Sequence, residues 1–229
     1  MNGAPEGVLY VAKILERDEV PIPNEGGLEE MFEQLHSQTA LGEWWEKFTF
    51  ADKVRSVIIH YGESLTPKAS KELIHELCVM GGSSRSVLAH QALVTLGDLF
   101  HFCPGATAAA GSSALGAVAD IFFDSAKKNK ARVLRDRAAT VLGEVTDSYG
   151  SNGGEDGAMT ALVMELLAPA LAKKHVGHLD LKVMEQTMLF AERASERFVE
   201  RGLLAEGGEM DGKALGALLA GLGAGCVSK

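Results

Sequence analysis

Several residue groups in this 229-residue chain have the types that catalysis or metal binding uses. His175-Val176-Gly177-His178-Leu179-Asp180 sets two imidazoles and a carboxylate close together, all types that ligate zinc. A zinc site needs further ligands at paired spacings, and none stands elsewhere in the chain, so a surface turn is the expected role. Ser83, Ser84 and Ser86 precede His90, but nucleophilic catalysis needs its base oriented by a third group, and no acid is placed to do so. Gly221-Leu222-Gly223-Ala224-Gly225 is glycine-rich, yet it lacks the preceding strand and following helix of a dinucleotide loop. These residues predict no active site, no metal and no cofactor, and the chain is expected not to be an enzyme.

Charge offers a different chemistry. The chain carries a formal net charge of −9, which argues against nucleic acid as a partner, since that surface demands a basic face. Its cations nevertheless cluster. One run reads Lys127-Lys128-Asn129-Lys130-Ala131-Arg132, another holds Lys173, Lys174, His175, His178 and Lys182, and Arg85 follows Ser83-Ser84. Trp44 and Trp45 stand beside Lys47. Adjacent residues on a helix point about 100° apart, so the two tryptophans are not expected to be fully buried together. Cys78, Cys103 and Cys226 are too few and too scattered for a disulfide framework, and the first two read as buried thiols. No apolar run is long enough to span a membrane.

The elements that position these residues read as helices throughout. Phe50, Val54, Val57, Ile58 and Tyr61 form one apolar stripe. Leu115, Val118, Ala119 and Phe122 form a second, and Leu134, Ala138, Val141, Leu142 and Val145 a third. No two-residue alternation bounded by hairpin turns appears. The pattern predicts helices near 27–38, 43–62, 68–80, 84–102, 107–125, 130–148, 156–172, 179–201 and 211–222. Thr66-Pro67 supplies an N-cap with proline at the first helical position. Gly81-Gly82 ends one helix, with a serine expected to cap the next. Pro104-Gly105 is read as a stop, and 148–154 as a Gly/Ser linker inside the fold.

An internal repeat organises the helices. Val87-Leu88, Ala92 and Leu96-Gly97-Asp98 reappear 46 residues later as Val133-Leu134, Ala138 and Leu142-Gly143-Glu144. Asp98 and Glu144 share one repeat position, so bonding to a neighbouring helix is their expected role. Periods of 40 to 50 residues built from helix pairs mark HEAT-like, armadillo-like arrays, in which each pair buries its stripe only by stacking on the next. The expected fold is therefore all-α, an α-solenoid of HEAT-like pairs. It divides into an arm over 1–25, carrying a short amphipathic helix around Val8 to Leu15, the repeat domain over 26–205, and a capping helix and tail over 206–229. Turns within pairs line one edge of such an array, which would gather the cations and tryptophans into a ridge.

Three stretches also resemble a known family. Glu43-Trp44-Trp45-Glu46-Lys47, followed by the helix ending Ile59-His60-Tyr61, resembles the opening repeat of TOG domains. Ser83-Ser84-Arg85-Ser86-Val87 leading into Leu96-Gly97-Asp98-Leu99-Phe100 resembles their second repeat, particularly in the CLASP and crescerin branches. Lys127-Lys128-Asn129-Lys130 before Val133-Leu134 is similar to the third-repeat turn, and the likeness covers roughly 27–200. The resemblance implies binding of tubulin or the microtubule lattice through the turns. Trp44 or Trp45 with Lys47 would serve the first turn, Arg85 the second, Lys127, Lys128, Lys130 and Arg132 the third, and Lys173 and Lys174 the fourth. It implies a cytoplasmic, cytoskeletal setting, with the crescerin likeness pointing to a cilium or axoneme. The alternative is a HEAT-like adaptor for a non-tubulin protein, gripped by its groove or by the arm.

Overall fold

The computed structural model describes residues 7–12, 15–24, 42–110, 112–127 and 129–151, with a few positions elsewhere that include Met31, Leu181, Lys182 and 185–189. Among the described residues the regular structure is helical, without a strand. The helices are α1 (Trp44–Tyr61), α2 (Pro67–Gly81), α3 (Ser86–Phe102), the short α4 (Pro104–Ala108), α5 (Ser112–Ser125) and α6 (Arg132–Ser151). The expected helices over 27–38, 156–172 and 211–222 lie outside the described residues, as do nearly all of 179–201.

Helix α3 is the centre of the packing. It is flanked by α1 and α6, while α2 packs against it and also meets α5. Phe100, Phe122, Ile58, Leu73, Ile74, Leu77, Leu93, Leu96 and Leu99 are fully buried where these helices meet. The repeat positions hold: Leu88 and Leu134, Ala92 and Ala138, and Leu96 and Leu142 are all buried.

Side-chain bonds between flanking helices fix their relative direction. Gln91 Nε2 donates to Asp52 Oδ1 at 3.2 Å, the Thr95 hydroxyl lies 3.1 Å from the Ala51 carbonyl, and Arg55 pairs with Asp98. His101 Nδ1 meets Glu144 Oε2 at 2.9 Å. The three bonds between α1 and α3 join residues 39, 44 and 43 positions apart, and α3 meets α6 at His101–Glu144, 43 apart, and at Gly97–Val141, both separations changing little along the helices. Antiparallel helices would keep the sum of residue numbers constant instead, so α1, α3 and α6 run parallel and in register. Asp98 and Glu144 thus bond in the same way, each to a basic group on the preceding helix. A side chain of the following helix also comes close at both repeat glycines: a Cβ on Gly97 would stand 3.4 Å from Val141 Cγ2, and one on Gly143 3.4 Å from Gln186 Oε1.

Several expected boundaries move. Thr66 caps α2 as read, its Oγ1 accepting from the Ala69 N–H at 3.2 Å. Arg85, and no serine, occupies the N-cap of α3, and Ser83 Oγ instead accepts from the Arg85 N–H at 3.2 Å. α3 ends at Phe102, just before Pro104, as read, and Pro104 then opens α4, where its missing N–H is no loss. Of the Gly/Ser linker expected over 148–154, residues 148–151 are helical and 152–154 lie outside the described residues; Ser148 is buried within α6. Its hydroxyl lies 2.9 Å from Thr107 Oγ1 and donates to the Pro104 carbonyl at 3.2 Å, holding the helix through Ser151.

The arm also differs from expectation. Residues 8–12 are not helical, and among the described residues of the arm a 3-10 turn forms at Arg17–Glu19. The arm runs beside α1 and gives it backbone acceptors: Arg55 Nη2 donates to the Leu15 carbonyl at 3.3 Å, His60 Nε2 lies 2.9 Å from the Val20 carbonyl, and the Ser56 hydroxyl donates to that of Pro21.

Two close-packed sites give testable outcomes. A Cβ at Gly62 would collide with Cys103 Sγ and stand 3.2 Å from the Phe102 carbonyl oxygen. Gly62→Ala is therefore expected to cost about 1–3 kcal/mol of stability in chemical denaturation, because the obstruction includes backbone that cannot rotate away. Burial also pushes the thiols up, Cys103 to about 12, and Cys78 still further with Asp120 adding to the effect. The thiolate is the nucleophile. Iodoacetamide at pH 8 is thus expected to alkylate Cys78 and Cys103 only after unfolding, as peptide mass mapping would reveal.

Candidate partner-binding edge

Because α1, α3 and α6 run parallel in register, their N-termini fall on one side of the molecule. Each of those ends carries residues singled out from the sequence. Trp44 and Trp45 are the first two residues of α1, Arg85 is the N-cap of α3, and Arg132 opens α6 after the lysine-rich turn. The start of α1 is held by Glu46, whose carboxylate accepts from the Glu43 N–H at 3.0 Å.

The first two turns are in contact. The Arg85 guanidinium carbon lies 5.6 Å from the Trp44 ring centroid, within the range where the ring quadrupole attracts a cation. Trp45 meets Trp44 edge-on at 6.0 Å. Both tryptophans and Lys47 are half-buried, and Arg85 is exposed. The question of which tryptophan faces outward therefore resolves into shared exposure. Trp44 takes the cation and Trp45 flanks it.

The third turn is built around Asp124. Lys127 Nζ lies 2.7 Å from one of its oxygens and Lys130 Nζ 2.8 Å from the other. The bonds from Lys127 and Lys130 hold this carboxyl below its usual range. The turn closes through Lys130 N–H donating to the Lys127 carbonyl at 2.9 Å, and Arg135 Nη1 donating to the Lys130 carbonyl at 2.6 Å. Arg132 Nε lies 3.4 Å from Asp136 Oδ2. Lys128, Lys173 and Lys174 lie outside the described residues, as do His175, His178 and Asp180. Among the described residues no cluster of three or more His, Cys, Asp or Glu side chains is placed to hold a metal, and no helix is long and apolar enough to cross a membrane.

Two participants were missed from the sequence. Tyr10 packs edge-on against Trp44 at 5.0 Å and against Phe48 at 5.4 Å, so the arm reaches the first turn. Its neighbours Val8, Leu9 and Val11 are exposed, Leu9 by 86%. Asp124 was the other. Its position near the end of an apolar helix gave no sign that two lysines would converge on it. Compared with known proteins, the chain matches no family model and no curated sequence.

Proposed function

We propose that this chain is a TOG-like α-solenoid that binds tubulin or the microtubule lattice through the edge carrying Trp44, Trp45, Lys47, Arg85, Lys127, Lys128, Lys130, Arg132, Lys173 and Lys174. The single observation that carries the reading is Arg85 stacked on Trp44, which makes a cation and an aromatic from consecutive turns into one contact surface. The parallel register of α1, α3 and α6 supports it, as does the exposed basic third turn. An acidic partner suits such an edge, because opposite charge steers encounter and sets register even where it adds little net affinity. The setting that follows is the microtubule cytoskeleton, of the cytoplasm or of a cilium.

The test is size-exclusion chromatography with tubulin dimer, together with pelleting on microtubules, both at physiological ionic strength. Co-migration or co-sedimentation is expected, and binding in neither assay overturns the proposal.

The adaptor reading draws on the arm, where exposed Val8, Leu9 and Val11 flank Tyr10, which packs on Trp44. Truncating residues 1–12 discriminates between the two, since the bonds from Leu15, Val20 and Pro21 to α1 survive that cut. Loss of a non-tubulin partner on truncation favours the adaptor, whereas tubulin binding that persists favours the edge.

A further inference from the structure

Three groups touch the Trp44 ring, and one of them comes from the arm. The Arg85 guanidinium carbon lies 5.6 Å from its centroid, and Trp45 meets it edge-on at 6.0 Å. Tyr10 stands nearest, at 5.0 Å with the ring planes 65° apart. The same phenol ring packs on Phe48 at 5.4 Å and 89°. Trp44 and Phe48 are four residues apart on α1, so they are neighbours on one helix face. Phe48 belongs to the buried core, whereas Trp44 is half-buried. Tyr10 therefore bridges an indole at the rim to a ring anchored inside the fold. Within the arm it is half-buried, while Val8, Leu9 and Val11 beside it are exposed.

We propose that Tyr10 is a positioning residue of the candidate edge, fixing the Trp44 indole in the orientation over which Arg85 lies. A helical side chain is normally restrained by the turn that precedes it. Trp44 is the first residue of α1 and has no such turn behind it. Left alone, its ring would divide among several staggered rotamers. A cation is attracted only over the ring face and within about 6 Å of the centroid, so at 5.6 Å a modest rotation of the indole loses the contact. The bridge to Phe48 removes that freedom. The contacts are made by the aromatic ring, so phenylalanine can replace tyrosine here and alanine cannot. The inference rests on the tubulin reading for what the edge binds, and deepens it by making the arm part of the edge.

The chain has two tryptophans, so in a Trp45→Phe background the indole fluorescence reports Trp44 alone. In that background Tyr10→Ala is expected to add a fast, nanosecond component to the anisotropy decay, and Tyr10→Phe to leave the decay unchanged. Arg85→Gln should shift the emission while Tyr10 is present, and shift it much less in Tyr10→Ala. The arm stays bonded to α1 through Leu15, Val20 and Pro21 in all these variants, and circular dichroism checks the helices. In the otherwise native chain, Tyr10→Ala is expected to weaken tubulin binding about three- to tenfold, with Tyr10→Phe restoring it. Binding weakens and does not vanish, because the third-turn lysines do not depend on Tyr10. An unchanged decay in Tyr10→Ala overturns the proposal, as does a phenylalanine variant that behaves like alanine. Undiminished tubulin affinity in Tyr10→Ala overturns it too. A native chain that binds no tubulin overturns the edge reading instead, and the fluorescence then decides by itself whether Tyr10 holds Trp44 for Arg85.

Discussion

The triple reversal Arg85→Glu/Lys127→Glu/Lys130→Glu is expected to weaken tubulin binding by about a hundredfold or more, because like charges facing each other across an interface cost several kcal/mol. Arg85→Glu replaces a cation over the Trp44 ring with a carboxylate that the ring face repels. Replacing both lysines leaves Asp124 unpaired beside two new carboxylates. The existing pairs do not bury these lysines, since Lys127 keeps 50% and Lys130 34% of its side chain exposed. Exposed pairs of this kind contribute about 0–1 kcal/mol. A partner's acidic group can therefore draw either lysine from Asp124 at small cost. The affinity of the native chain should also fall as salt rises, and that slope should flatten in the variant. Fluorescence anisotropy with labelled tubulin measures both effects, with circular dichroism confirming that the helices survive. Unchanged affinity in the triple variant would remove the edge from consideration.

Asp98→Ala carries the second large expectation, this time on stability. Arg55 is 3% exposed and pairs with Asp98. Taking away one member of a buried ion pair costs up to about 3–5 kcal/mol. The Leu15 carbonyl, 3.3 Å from Arg55 Nη2, remains as an acceptor and points to the low end of that range. Roughly 3 kcal/mol lowers the melting temperature of a chain this size by about 6–12 °C. Replacing both partners, as in Arg55→Met/Asp98→Leu, is expected to recover most of the loss, because no buried charge is then left alone. Calorimetry of the single and double variants decides it. A single variant within 0.5 °C of the native chain would show that the pair does not hold α1 to α3.

The helices were legible because their stripes have the helical period and little else competes. Phe50, Val54, Val57 and Ile58 are buried as their spacing predicts, as are Leu134, Ala138, Val141, Leu142 and Val145. The repeat was legible too, though the facing residues are not the equivalent ones. Equivalent positions of α3 and α6 differ by 46, while His101 meets Glu144 across 43. The difference is close to one helical turn, by which packed helices interleave their side chains rather than oppose them. What could not be read depends on distant partners. Ser148 belongs to a Gly/Ser-rich run by composition, but Thr107 and Pro104 draw its hydroxyl into the core. Tyr10 looked like one residue of an amphipathic helix until the ring of Trp44 gave it a seat. At the candidate edge the residue types were visible, whereas the contact between Arg85 and Trp44 required the register of α1 against α3.

The arm's path along α1 gives the row of parallel helices two unlike flanks. On one flank, carbonyls from Leu15, Val20 and Pro21 accept from side chains of α1, and Tyr10 packs against Trp44. On the other, Gly143 of α6 faces the side chain of Gln186. A molecule approaching α1 from the arm's side therefore finds these donors already bonded to the chain's own backbone.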